Sequence, residues 1–298
     1  MDMGFSEIFK DLNNELLEKA KSMEKTTDFK DLDRPIAKML DNSGDYDGTE
    51  TEVKKLEPNS TYEIDGDEYE TDDNGDIYKM NGDLMPNTTY EKNGITYTTD
   101  ENGRISTWSG EPKYEPENER DTNAQTESGG EDREAGDDGG HLVARILGGS
   151  AGNENIVAMR DTVNRGDYKK SENEIAEAKK QGKDVQDSGN VVYEGDSTRP
   201  SKIERTYTID GETSNLKVDN VEGSKDLLED VEGDISDEDM ESLNDEIADM
   251  EEDGCDVSVT SVLKKYDAEG NLVSVRVGIR NETTGEKSYR TFEAKKEG

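Results

Sequence analysis

The chain has one cysteine, one histidine and one tryptophan among 298 residues, and only four phenylalanines and six prolines. The single Cys255 excludes an intrachain disulfide, and one cysteine with one histidine cannot build a Cys/His zinc set. No run of roughly 18 apolar residues occurs, so no stretch reads as a membrane-spanning helix. Residues 1 to 12, MDMGFSEIFKDL, lack the basic start and apolar middle of a Sec signal peptide. Hydrophobic residues make up only 28% of the chain and charged ones 37%, which leaves a modest core and much solvated surface.

Positive charge is also scarce. With 36 Lys and Arg against 75 Asp and Glu, the formal net charge is −39. Nucleic-acid binding normally draws most of its affinity from cations that neutralise phosphates, so this balance argues against it. It favours an acidic module that binds a basic partner. The deficit is uneven, however. Residues 141–205 hold eleven basic and eleven acidic side chains, and the flanks therefore carry the whole excess.

In chain order, Phe5, Ile8, Phe9, Leu12, Leu16, Ala20 and Met23 recur at helical spacing, followed by a polar linker over 42–51. A repeat with a period of 28 residues comes next. Pro58, Tyr62, Gly66, Tyr69, Asn74, Gly75 and Ile77 recur as Pro86, Tyr90, Gly94, Tyr97, Asn102, Gly103 and Ile105. The Asp-Gly and Asn-Gly pairs predict hairpin turns, and each unit reads as a three-stranded meander with one tyrosine-lined face. Asp72-x-Asn74-x-Asp76 resembles the start of a calcium loop. Ile77 at the glycine position and Asp83 at the twelfth weigh instead for a turn with solvated carboxylates.

Residues 111–136 read as an extended, loosely held connection. His141–Leu147 reads as a strand or strand end, with a glycine loop over 148–152 and a short apolar segment from Asn155 to Met159. Asp161–Gln181 reads as one helix stopped by Gly182. Strands follow at 191–193 and 203–209 around an Asp210-Gly211 turn. Beyond Asn220 come an acidic helix capped by Ser236 and three strands, at 257–266, 272–279 and 288–294. The domain limits expected from this pattern are 1–55, 56–111, 112–220 and 221–298. The acidic flanks, 1–55 and 221–298, are expected to be dispensable for catalysis and to repel phosphates over about a Debye length, ~8 Å.

His141 is the one imidazole available as a general base near neutral pH. Asn164, Tyr168 and Glu172 stand at i, i+4 and i+8, on one side of the expected helix. Asn164 offers a neutral oxygen to a hard cation such as Mg²⁺, which keeps several waters and needs few protein ligands.

Asp138-Gly139-Gly140-His141, then Asn155, Asn164 nine positions on and Glu172 eight further, resembles the DNA/RNA non-specific endonucleases of the ββα-metal type. The likeness is strongest to the bacterial secreted-toxin branch, including type VII secretion EssD-like domains, and runs from about Tyr90 to Asn220. It implies an α+β fold: a ββα-metal nuclease core with antiparallel strands, a β-meander repeat before it and a small α+β appendage after it. It implies a metal-dependent nuclease that cuts DNA and RNA through a histidine-activated water, with Mg²⁺ or alternatively Mn²⁺ as cofactor. His141 would be the base and Asn164 the metal ligand. Asn155 and Glu172 would order the metal waters and the site, and Arg120 or Arg133 would contact the phosphate. Gly139 departs from many relatives, which carry arginine there; the toxin branch tolerates glycine, so the departure reads as subfamily and not as inactivation. The resemblance points to an exported toxin with an inhibitor or secretion partner. Location follows as either a bacterial cytoplasm or export by a dedicated machine. The sequence leaves the oligomeric state open.

Overall fold

Two-residue turns dictate much of the architecture. Asn93-Gly94 and Asp210-Gly211 all have positive φ, between 51° and 94°, the backbone that matches the twist of a tight hairpin. The computed structural model describes residues 56–64, 66–117, 121–251 and 254–295. The amphipathic pattern over 5–23, the linker at 42–51 and Arg120 lie outside the described residues.

The first repeat unit forms β1 (Thr61–Ile64), β2 (Asp67–Thr71), β3 (Ile77–Met80) and β4 (Asp83–Leu84), and the second forms β5 (Thr89–Lys92), β6 (Ile95–Thr99) and β7 (Ile105–Gly110). Then come α1 (Thr122–Glu127), β8 (Asp137–His141), β9 (Ile156–Arg160), a four-residue α2 (Asp161–Asn164) and α3 (Asp167–Lys180). Strands β10 (Val185–Tyr193), β11 (Pro200–Ile209) and β12 (Glu212–Asp219) are followed by α4 (Asp237–Glu251) and by β13 (Val257–Tyr266), β14 (Leu272–Asn281) and β15 (Lys287–Glu293). The fold is α+β, with every strand pairing among the described residues antiparallel.

The first unit makes its own four-stranded sheet, whereas the second opens a nine-stranded sheet ordered β15-β14-β13-β12-β11-β10-β7-β6-β5. This corrects two expected boundaries. Strand β7 pairs with β10 across the limit at 111/112, and β12 pairs with β13 across the limit at 220/221. One sheet therefore runs from the repeat through the central segment into the appendage. The connection over 111–136 is not loosely held throughout. Asp121 caps α1 by accepting hydrogen bonds from the Asn123 and Ala124 amides, and α1 packs on β8.

The tyrosine face of the repeat is present and has a use. Tyr78, Tyr90 and Tyr97 form a buried column with ring centroids 4.8 and 5.3 Å apart. Its hydroxyls reach the loop before β9: Tyr90 donates to Glu154 O at 2.8 Å and Tyr97 to Asn155 Oδ1 at 3.0 Å. The calcium-like loop is a turn. Asp72 accepts from the Asn74, Asp76 and Glu91 amides at 2.8–2.9 Å, and Asp100 does the same for Asn102 and Arg104 one repeat later.

Helices α3 and α4 cover opposite faces of the sheet. On β14 and β15, Arg276 bonds Asp167 of α3, while Ser288 and Arg290 bond Glu246 of α4. Under α3 lies a fully buried ion pair, Arg205–Asp187 at 2.8 Å, whose guanidinium also donates to Ser171 Oγ of the helix.

Candidate active site

Strands β8 and β9 form a two-stranded hairpin in which His141, the last residue of β8, stands opposite Ile156. The chain just past His141 is clamped from two sides. Leu142 N donates to Asn155 O at 2.9 Å, and Leu142 O accepts from the buried Tyr168 hydroxyl at 2.7 Å. Val143 N donates to Asn155 Oδ1 at 2.9 Å, and Asn155 Nδ2 donates to Val143 O and Ser150 O at 2.9 and 2.8 Å.

Asn155 is fully buried, and its amide oxygen and nitrogen are both committed to these bonds and to Tyr97. An asparagine so satisfied has no capacity left for ordering water around a cation. Its place is behind the site, where it fixes the strand end that carries His141. Of its expected role in ordering the metal waters and the site, these bonds leave capacity only for ordering the site.

His141, Arg133, Asn164 and Glu172 do come together, in one cleft of about 650 Å³ that Asp138, Arg145, Arg165 and Lys169 also line. The expected single helix is broken, however. It stops at Asn164 and restarts at Asp167. Gly166 sits so tightly in the break that a Cβ there would lie 2.2 Å from Thr162 O. The break turns Tyr168 inward as a clamp, while Asn164 and Glu172 still reach the cleft.

Asp138 orders the Asn164 wall. It accepts two hydrogen bonds from Arg165, at 2.7 and 2.8 Å, and one from Asn164 Nδ2 at 3.0 Å. Burial pulls its pKa upward, but these bonds and the charges of Arg165 and Arg133 outweigh burial and hold the carboxyl below its usual value. With Nδ2 anchored, the amide is oriented, and Oδ1 carries no hydrogen bond among the described residues. Arg133 is held by the carbonyls of Gln125, Ser128 and Asp137 and by the Ser128 hydroxyl, at 2.6–3.0 Å. None of those four bonds goes to a carboxylate, so a fixed cation is presented to the cleft. Four cations and two carboxylates line the cleft, a positive pocket in a strongly acidic chain.

Sequence reasoning missed Arg145, Arg165 and Lys169 and gave Asp138 no role. The one signal for them was the neutral stretch from 141 to 205. Gly139 is explained by packing: a Cβ there would meet backbone atoms of Gln125 at 2.3–2.7 Å, because α1 lies directly on this strand. Any side chain at 139 requires α1 to move.

Glu172 is buried and accepts from Lys169 Nζ at 2.8 Å. Burial raises its pKa, with Lys169 and Arg205 opposing. A carboxyl raised in the fold binds its proton more tightly folded than unfolded, so stability falls as pH rises from the ordinary carboxylate value through the raised one. In metal-free protein, Glu172→Gln should therefore melt above the parent at neutral pH, with the gap closing toward acid pH. Equal melting temperatures across the pH series would contradict this.

Among the described residues, no group of three or more His, Cys, Asp or Glu side chains is placed to hold a metal. A caged site is therefore not built from these residues. One oriented amide oxygen in a roomy polar cleft does fit a hard cation that keeps most of its waters.

Residues 86–211 match the model of the DNA/RNA non-specific endonuclease family. The chain is 41% identical over 100 residues to the type VII secretion system protein EssD of Staphylococcus aureus strain USA300, and equally to that of strain NCTC 8325. Each match covers 32% of this chain and 16% of the relative, so the chain spans about a sixth of the length of these relatives. Among solved structures, NucA from Streptococcus agalactiae with magnesium bound is 16% identical, with a TM-score of 0.35, over 55% of this chain and 85% of that one.

Proposed function

We propose that the cleft hydrolyses phosphodiester bonds of DNA and RNA with the help of a divalent cation, Mg²⁺ or Mn²⁺. The observation that carries this reading is the convergence of His141, Asn164, Glu172 and Arg133 on one positive cleft within the nuclease-family segment. His141 takes the proton of the attacking water, its ring placed by the Asn155 and Tyr168 clamps on the following residues. Arg133 meets the charge that builds on the phosphate, and its carbonyl partners hold it in place before substrate arrives. Asn164 Oδ1, oriented through Asp138, is the protein ligand for the cation, and Glu172 stands in the same wall. When bound, the cation neutralises phosphate charge and eases departure of the leaving oxygen.

We also propose, from the family resemblance, a toxin exported by a type VII system and held by an inhibitor before release; the likeness to EssD supports the link to that system alone. The positive cleft favours the nuclease over an acidic binder of basic proteins, because such a binder needs its negative charge on the recognition face.

Conversion of supercoiled plasmid to nicked circles in Mg²⁺, and none in EDTA, is the expected result; nicking that persists in EDTA would overturn the cation reading. Asn164→Ala should weaken Mg²⁺ binding on the order of 10-fold or more by calorimetry, with raised Mg²⁺ partly restoring cleavage. Asp138→Ala should also weaken it, through loss of the amide's anchor, by the roughly 10–100-fold typical of outer partners. Unchanged affinity in both variants would remove Asn164 from the site.

A further inference from the structure

The far end of the nine-stranded sheet carries a group of cations, of which Arg276 serves the core through the buried Asp167 and the others lie outside the cleft. The β14–β15 register sets Arg280 opposite Lys287, Gly278 opposite Tyr289 and Arg276 opposite Thr291. Side chains alternate across a strand, so Arg276, Arg280, Lys287 and Tyr289 project from the face that carries α3. Lys170 of α3 completes the group, with Nζ 3.5 Å from the Tyr289 ring centroid.

Three carboxylates face these cations, and two of them are shared. Asp167 takes Arg276 at 2.6 Å and Lys170 at 3.1 Å, and Glu282 takes Arg280 and Arg160, both at 2.8 Å. The third, Asp161, lies 3.9 Å from Arg165. Lys287 is exposed and forms no ion pair among the described residues, although it stands directly across from Arg280. Opposed like charges weaken a sheet, and here Glu282 offsets Arg280 directly while Lys287 has only the more distant Asp161 and Asp167. Desolvation of part of the side chain, and then Arg280 and Lys170, lower the Lys287 pKa, with Asp161 and Asp167 opposing. The group adjoins the cleft: Lys169 of the cleft and Lys170 are consecutive on α3, and Arg165 of the cleft lies beside Asp161.

We propose that this face is a phosphate track: a nucleic-acid strand engaged in the cleft continues across Lys170, Arg280 and Lys287 of the C-terminal strands. Tyr289 holds Lys170 in place from below. In a chain of net charge −39, phosphates are the partner that a local excess of cations suits. The proposal rests on the nuclease reading and assigns the C-terminal strands, which lie outside the family match at 86–211, a share in binding long substrates.

The test uses the full chain with Lys170→Gln and Lys287→Gln together, and separately with Lys287→Glu, after melting curves confirm the fold. Binding of a long labelled DNA duplex is read by fluorescence anisotropy across a salt series in EDTA. Turnover is read in Mg²⁺ on that duplex and on bis(p-nitrophenyl) phosphate, which is too small to reach the track. The double variant should bind duplex more weakly, with a salt slope shallower by about two. KM for duplex should rise in both variants while turnover of the small ester stays at the parent's level. Duplex affinity and slope equal to the parent's would overturn the track. Failure of the parent to cut either substrate would overturn the nuclease reading instead, and the binding series in EDTA would still decide the track.

Discussion

A chain cut after Asn220 is expected to lose cooperative unfolding and nuclease activity together. The sequence presents 221–298 as an appendage, but β12 pairs with β13 over six residues, from Thr213–Tyr266 to Val218–Ser261. Leu263 of β13 packs in the same core as Leu216, Val218 and Tyr168. The C-terminal strands also seat the start of α3. Asp167, its first residue, has a fully buried side chain bound by Arg276 and by Ser261 Oγ. Arg160, at the end of β9, is bound by Glu282 at 2.8 Å. Removing these strands strips a sheet edge and the floor under α3, a loss of several kcal/mol from the ~5–15 that hold an ordinary domain. Arg276→Met is the point version. It leaves Asp167 short of a cation at a cost of roughly 2–3 kcal/mol, below the ~3–5 for breaking an isolated buried pair, because Lys170 and Ser261 remain. Thermal melting of both proteins beside plasmid nicking checks this. A trimmed protein that melts cooperatively and cuts at the parent's rate would restore the view that the acidic flank is dispensable.

Replacing His141 by alanine should slow cleavage by about 10²–10⁴-fold while leaving the melting temperature and Mg²⁺ affinity near the parent's. The chain has no second histidine to take over the proton. Few structural bonds are at stake, because the positions after His141 are held through the backbone of Leu142 and Val143. Added imidazole should restore part of the rate. A variant that cuts at near the parent's rate would remove His141 from the chemistry. One that loses metal affinity as well would assign it a ligand's role.

Local signals in the sequence carried much of the fold. Asn-Gly and Asp-Gly pairs marked the hairpins, Ser236 marked the start of α4, and Val257–Tyr266 was legible as a strand to the residue. What stayed hidden depends on partners distant in the chain or on weak local patterns. Strand β12 has too few apolar residues to stand out, and its neighbours lie on both sides of an expected boundary. Helix α1 has one buried apolar residue, Ala124, and exists through its Asp121 cap and its seat on Gly139. The break at Gly166 was masked by helical spacing on either side of it. At the site, the spacing of His141, Asn164 and Glu172 was legible. The positive cleft was not, because Arg133, Arg145 and Arg165 come from three separate segments. Asn155 kept its position in the pattern but acts from behind the strand, through bonds no spacing reveals.

The charge paradox resolves in the same terms. A net charge of −39 describes the whole surface, whereas the proposed substrate site is the cleft, where cations outnumber carboxylates. At physiological salt the rest of the surface is screened beyond about 8 Å.

The most direct test uses the chain's single imidazole. His141 gives one set of ring proton resonances, so its assignment needs no mutagenesis. Mn²⁺ is paramagnetic and broadens nearby protons. Added well below one equivalent, it should broaden the His141 ring signals in the parent, with the effect lost in Asn164→Ala and reversed by EDTA. That result would put the cation and the base in one cleft. Sharp His141 signals at Mn²⁺ concentrations that support cleavage would mean the metal acts elsewhere, and would contradict the site described.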